Sequence, residues 1–150
     1  MGDLMARHEV IYFDTEFTCF SNPELLSLGA ISTFGCEFYA EVAPIPFDAC
    51  SDFVKAHVLP KFTGPQFSRE DLASHFLSWL GNFGKPVVLL SDSQYDRDLV
   101  NSLCGGYPLP IPGGHRCVWQ PLPGVVADNP HHALEDARGL LQAFGQQFLD

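Results

Sequence analysis

The sequence predicts an α/β domain, and three observations carry that expectation. Short apolar, β-branched runs crowd the chain up to Val42. From Ser68 onward, stretches of helical spacing alternate with a continuous apolar run at Val87 to Leu90. The 150 residues, 46% apolar with thirteen Phe, suffice for a single well-filled core.

Residues 9 to 14 read as the first strand, in which Val10-Ile11-Tyr12-Phe13 runs straight into Asp14-Thr15-Glu16. Positions i and i+2 of a strand share a face, so Asp14 and Glu16 project together from its end. Two like charges at that place repel and are costly to desolvate. A hard cation with oxygen ligands would remove both costs. If the strand stops at Phe13, the same two acids sit in a solvated turn instead.

Leu25 to Ser32 suits a second strand, with Gly29 as a bulge position. Thr33 to Gly35 make a turn. Cys36 to Val42 alternates Phe38, Ala40 and Val42 with Glu37, Tyr39 and Glu41, the pattern of a half-buried strand. Strands so close in sequence form an antiparallel meander, stopped by Pro44 and Pro46. A short helix is expected around Phe53 to Val58. Ser68-Arg69-Glu70-Asp71 resembles a capping box. Leu72, Phe76, Trp79, Leu80 and Phe83 then follow at helical spacing, a stripe read as core packing.

Gly84 and Pro86 end that helix, and Val87 to Leu90 is a buried central strand. Ser93 to Leu103 reads as a helix with Leu99, Val100 and Leu103 inward. Asp96 shares that inner face and needs a partner there; Asp98 is a surface charge, and Asp92 at the strand end is a second candidate. Gly105 to Gly114 is a Gly- and Pro-rich loop, long enough to be functional or mobile. Arg116 to Gln120 suits a short strand and Pro121 to Asn129 another loop. The last helix follows Asn129 as cap and Pro130 as first residue, with Leu134, Ala137, Leu141, Phe144 and Phe148 inward. Nothing suggests a repeat or a second domain, so residues 1–150 read as one domain.

The formal net charge is −10 with only eight Lys and Arg. That argues against nonspecific electrostatic binding to nucleic acid or anionic membranes. It leaves room for a nucleic-acid enzyme whose acids hold metal ions, because bound cations reverse the local field. The five Cys form no C-x-x-C pair, which suggests neither a disulfide framework nor a zinc knuckle and favours a reduced, cytoplasmic setting. The N-terminus, with Asp3, Arg7, His8 and Glu9, lacks the apolar region of a signal peptide. No apolar run is long enough to span a bilayer.

The acids form a pattern across the chain: Asp14 and Glu16, then Asp96, then Asp136 preceded by His131. Phe13-Asp14-Thr15-Glu16-Phe17-Thr18, Ser93-Gln94-Tyr95-Asp96 and His131-His132-Ala133-Leu134-Glu135-Asp136-Ala137, in that order, resemble the three motifs of the DEDDh 3′–5′ exonucleases. The third, H-x-A-L-x-D-A, is the most specific. The resemblance implies a ribonuclease H-like mixed sheet of about five strands with helices on both faces. It implies that Asp14, Glu16, Asp96 and Asp136 hold two divalent cations, Mg²⁺ or Mn²⁺, and that His131 is the general base. Two ions set roughly 3.5–4 Å apart stabilise both the attacking and the leaving oxygen of an in-line displacement. A His titrates near neutrality, as a general base should.

His132 and Asp136 would share a face of a regular helix, whereas His131 and Asp136 would diverge by about 140°. His131 therefore works only ahead of the regular helix; the family's spacing of four intervening residues selects it over His132. Ser91-Asp92-Ser93-Gln94 departs from the His-Asn pair many relatives carry before the second motif. Thr15 and Arg97 are further substrate-contact candidates, and Arg116 and Arg138 further phosphate contacts. Phe17 and Phe20 either stack on a terminal base or pack in the core.

The implied activity is hydrolysis from the free 3′ end of single-stranded nucleic acid, releasing nucleoside 5′-monophosphates. RNA is preferred on the resemblance to compact exoribonucleases, with a DNA-directed proofreading type as the alternative. Related small exonucleases also act as homodimers. Asp14-Thr15-Glu16-Phe17-Thr18 approximates the D-x-D-x-T motif of haloacid-dehalogenase-like phosphatases, but Glu16 replaces the second Asp and the His131 motif stays idle. A nonenzymatic nucleic-acid-binding module of this fold would be signalled by loss of a motif acid, and none is lost.

Overall fold

The computed structural model describes residues 7–124 and 131–145. Its centre is β1 (Glu9–Phe17), which runs between the antiparallel β2 (Leu25–Ser32) and the parallel β5 (Val87–Ser91). β3 (Glu37–Val42) continues the meander beside β2, and β4 (Gln66–Phe67) adds to its far edge. β6 (Cys117–Pro121) runs parallel to β5, giving the order β4-β3-β2-β1-β5-β6. The sheet is thus mixed and six-stranded rather than five-stranded. The additional strand is two residues long, too short to leave a period in the sequence.

Strict alternation divides β1 and β5 between two cores. Ile11, Phe13, Val87 and Leu89 face α2 (Arg69–Gly81) and α3 (Gln94–Leu103), meeting Leu72, Phe76, Leu80, Leu99 and Val100. Val10, Tyr12, Val88 and Leu90 meet Ala137 and Leu140 of α4 (Ala133–Phe144) on the other face. Burial of this apolar surface on both sides explains why β5 reads as an unbroken apolar run. Trp79 and Phe83 pack partly buried against the first core, as their spacing predicts. Ser68 caps α2, its Oγ accepting the Asp71 amide at 3.1 Å.

One alternative left open by the sequence is decided and three expectations change. β1 continues through Asp14 to Phe17, so the two acids sit on the strand and not in a turn. Gly29 is no bulge: it pairs in register with Asp14 and Tyr39, and the register slips instead between Glu16 and Phe17, leaving Leu26 as the additional residue of β2. Leu26 is thereby turned into a small third cluster with Val54 of α1 (Asp52–His57). Glu41 is fully buried, not on a wet face; it accepts the Thr63 and Gly64 amides at 2.8 and 3.0 Å and the Tyr39 hydroxyl. The 105–114 loop is plugged into the core by buried Leu109 and Ile111.

α4 begins at Ala133 with His132 as its N-cap. The cap expected at Asn129 and Pro130, and the inward Phe148, lie outside the described residues. Leu140 is buried on this helix where the sequence suggested Leu134, which is half-buried.

Candidate active site

β1 and β5 run parallel, and the carboxyl ends of such a pair are the usual place for ligands in sheets of this kind. Asp14 and Glu16, on the face of β1 that looks to α4, meet Asp136 there. Their carboxylate oxygens lie within 4.8 Å of one another. A second group, Asp14, Asp92 and Asp96, is equally tight, so Asp14 belongs to both.

Local structure explains this convergence. Gly29, opposite Asp14, has no side chain, and a Cβ built on it would come within 2.3 Å of the Leu134 amide nitrogen. The first turn of α4 can therefore lie directly on the sheet, which brings Asp136 down to β1. Asp96 reaches the site from α3, whose N-cap Ser93 accepts the Tyr95 amide at 3.1 Å. Asp96 is 2% exposed. Its Oδ1 accepts the Thr15 amide at 3.1 Å and the Thr15 hydroxyl at 2.6 Å. Its Oδ2 is buried with no hydrogen-bond partner.

The electrostatics match the crowding. Burial, and then Asp96, Glu16 and Asp136, hold the Asp14 carboxyl well above its ordinary range. Burial and Asp136 push Glu16 up to about 9, against the pull of the Lys61 charge. Burial pushes Asp96 to about 7, although the Thr15 hydrogen bonds work downward. Asp136 is raised by burial as well, with hydrogen bonds from Glu16, Asp14 and then the His131 amide opposing. A cluster that resists ionisation this strongly is one that a cation would relieve.

His131 lies just ahead of α4 with φ of 73°, a backbone conformation rare outside glycine. Its N–H donates to Asp136 Oδ2 at 3.2 Å, which holds the residue in that conformation. Its ring stands edge-on to Phe53 at 5.1 Å and 6.4 Å from the His57 ring. His132 turns elsewhere: it stacks on Tyr39 at 4.3 Å, with Nε2 at 3.4 Å from Thr63 Oγ1. Burial lowers its pKa.

The remaining candidates divide. Thr15 is buried and commits its hydroxyl and amide to Asp96. Phe17 stacks on Tyr95 at 5.3 Å and packs partly against the core, while Phe20, 72% exposed, meets both rings edge-on. Arg97 pairs with Asp98 at 3.1 Å and lies over the Trp119 ring at 5.0 Å. Arg138, a phosphate candidate by sequence, is held by Glu37 at 2.6 Å and by Glu135. A cleft of about 370 Å³ is lined by Arg97, Asp98, Asn101, Tyr107 and Trp119. A wider one of about 670 Å³ opens along Lys61, Thr63 and His132. Neither is lined by the clustered acids, so the chemistry and not the cavity shape marks the site.

No family model matches the chain, and no curated protein does. Among solved structures it is similar to E. coli exonuclease I in complex with a dT13 oligonucleotide, with a TM-score of 0.66 and 11% identity. The match covers 93% of this chain and 41% of that one, so the chain spans about two-fifths of its length. The fold is ribonuclease H-like. On this fold the acids of β1, α3 and α4 gather at the carboxyl end of β1.

Sequence reasoning missed Phe53 and His57 beside His131, and Lys61 near Glu16. Their proximity depends on how the segment after β3 folds back. Only the short apolar pattern of α1 hints at a helix there.

Proposed function

We propose that the chain is a metal-dependent 3′–5′ exonuclease acting on single-stranded nucleic acid and releasing nucleoside 5′-monophosphates. One observation carries the reading: two carboxylate triads share Asp14, and the His131 amide donates to Asp136, the acid that α4 adds to Asp14 and Glu16. Asp14, Glu16, Asp96 and Asp136 would hold two divalent cations, Mg²⁺ or Mn²⁺. The donor set fits such ions, since it is all carboxylate oxygen and one buried oxygen of Asp96 is unpartnered. When bound, the cations supply charge stabilisation for in-line displacement at phosphorus.

The chain's own residues do the rest. Asp136 fixes His131 through its amide, which leaves the imidazole to accept the proton of the attacking water. Thr15 positions Asp96 and does not touch the substrate. Phe17, Phe20 and Tyr95 form a part-exposed aromatic corner, Phe17 directly following Glu16 and Tyr95 directly preceding Asp96, suited to stacking the terminal bases. Arg97, on the same helix as Asp96, adds a cation for the phosphate backbone.

RNA is the favoured substrate on the resemblance to compact exoribonucleases. A specific observation favours a DNA reading beside it: the exonuclease I structure holds a dT13 oligonucleotide. The phosphatase reading gives no role to Asp136 and His131. Single-stranded RNA and DNA of one sequence, labelled at either end, would be incubated with Mg²⁺, Mn²⁺ or EDTA beside Asp14→Ala. Stepwise 3′ shortening that needs both metal and Asp14 is expected, and the faster strand decides the substrate. No cleavage of any strand by a folded protein would sink the proposal.

A further inference from the structure

We propose that Asp92 is a fifth metal-ligating carboxylate, binding the cation that Asp14 and Asp96 hold. The inference rests on the metal-dependent reading above and adds a ligand to it.

Asp92 is placed by fixed neighbours. It follows directly on Ser91, the last residue of β5. The Ser91 carbonyl accepts the Leu122 amide at 2.8 Å, and its hydroxyl accepts Trp119 Nε1 at 2.8 Å while donating to the Ser93 carbonyl at 3.1 Å. Ser93 in turn caps α3. The backbone is therefore pinned on both sides of Asp92, and its carboxylate is carried to the strand ends and not left to wander on a loop. There an oxygen of Asp92 comes within 4.8 Å of ligand oxygens of both Asp14 and Asp96.

An acidic group at a strand end is common without a metal. Asp96 makes this one different. It is 98% buried by its 2% exposure, its Oδ1 is saturated by Thr15, and its Oδ2 has no partner. A buried carboxylate oxygen left unpaired is costly. The groups gathered near it, Asp14 and Asp92, are carboxyls as well, and each becomes an acceptor only once it is ionised. A hard cation among these three carboxylates would satisfy that oxygen and compensate all three charges at once.

The charge count has a consequence. Asp14, Glu16, Asp96 and Asp136 carry −4, which two divalent cations cancel; Asp92 leaves the loaded site at −1. The fifth acid thus strengthens the hold on metal and places a negative charge where the polynucleotide approaches.

The test is Mn²⁺ titration of the full chain by calorimetry, with folding followed by circular dichroism. Asp92→Asn keeps size and removes charge and ligand strength. Asp92→Glu keeps both. Asp98→Asn, a solvent-exposed acid on α3 paired with Arg97, controls for loss of charge at a distance. Asp92→Asn is expected to weaken at least one Mn²⁺ binding event tenfold or more, Asp98→Asn less than twofold, and Asp92→Glu to recover most of the loss. Asp92→Asn titrating like Asp98→Asn would overturn the inference and leave the four-carboxylate site standing. A wild-type chain that binds no Mn²⁺ would overturn the metal-dependent reading together with it.

Discussion

Glu16 shows how far the fold moves a side chain from its ordinary chemistry. Burial and the neighbouring Asp136 raise its carboxyl from an ordinary 4.5 to about 9, and burial raises Asp96 from 3.8 to about 7. The folded, metal-free protein therefore keeps protons that the unfolded chain has already lost. These groups favour the folded state fully at low pH, and the contribution is lost as pH climbs from the ordinary carboxylate range through about 7 and then about 9. Cations bind the ionised form, so their stabilising effect runs the opposite way. Thermal unfolding at several pH values, in EDTA and in Mg²⁺, should show the Mg²⁺-induced rise in Tm growing from pH 5 to pH 9. Glu16→Gln in EDTA should flatten the pH dependence; a rise that stays constant or shrinks would contradict the assignment. Thr15 is the complementary case. Thr15→Val removes one of the two hydrogen bonds holding the buried Asp96 and should cost about 1–3 kcal/mol in urea unfolding without metal.

At the scale of elements, the position of α4 depends on one missing side chain. The helix sits on β2 where Gly29 has no Cβ, and any Cβ there would strike the Leu134 backbone at 2.3 Å. Gly29→Ala must push the helix away, and because Asp136 rides on it, the carboxylates of β1 lose their partner. A loss of about 1–3 kcal/mol in stability is expected from overpacking, with metal affinity falling further than the stability loss alone explains. Urea unfolding and Mn²⁺ titration of the same variant separate the two. The sequence carried no sign of this: Gly29 within an apolar run reads as a bulge because single-residue patterns do not reveal what packs above a strand. The acids were legible for the opposite reason. Asp14 and Glu16 at i and i+2, Asp96 on the apolar side of an amphipathic helix, and the His131 to Asp136 motif are each local patterns. Glu41 was misread because alternation assigns a wet face to β3, whereas the turn at Thr63 and Gly64 folds over it and donates two amides. Phe53 and His57 reach His131 only through tertiary folding, which spacing in the chain does not encode.

Across the whole molecule, a chain of net charge −10 is proposed to grip a polyanion. Long-range attraction therefore opposes association, and Arg97 and Arg138 are already paired with Asp98 and with Glu37. On the proposed reading, affinity comes chiefly from the aromatic corner and from cations held by the acid cluster, with Arg97 adding one contact partly offset by Asp98. This inverts the usual salt response of nucleic-acid binding. Each Lys or Arg contact to a single strand lowers log K with log salt by about 0.7, so few contacts give a shallow slope with monovalent salt. Divalent cations, by contrast, should strengthen binding as they fill the site, until they too begin to screen. Fluorescence anisotropy with a labelled single strand in Ca²⁺, a hard cation that takes oxygen ligands, read before any shortening of the probe, checks both arms. Affinity should rise over the range in which the site fills and change little with KCl. Asp14→Asn should abolish the Ca²⁺-dependent gain and leave the weak metal-free binding as it was. A steep monovalent slope, or a Ca²⁺ gain that survives Asp14→Asn, would place the contacts on a basic surface and away from the strand ends where Asp14 stands.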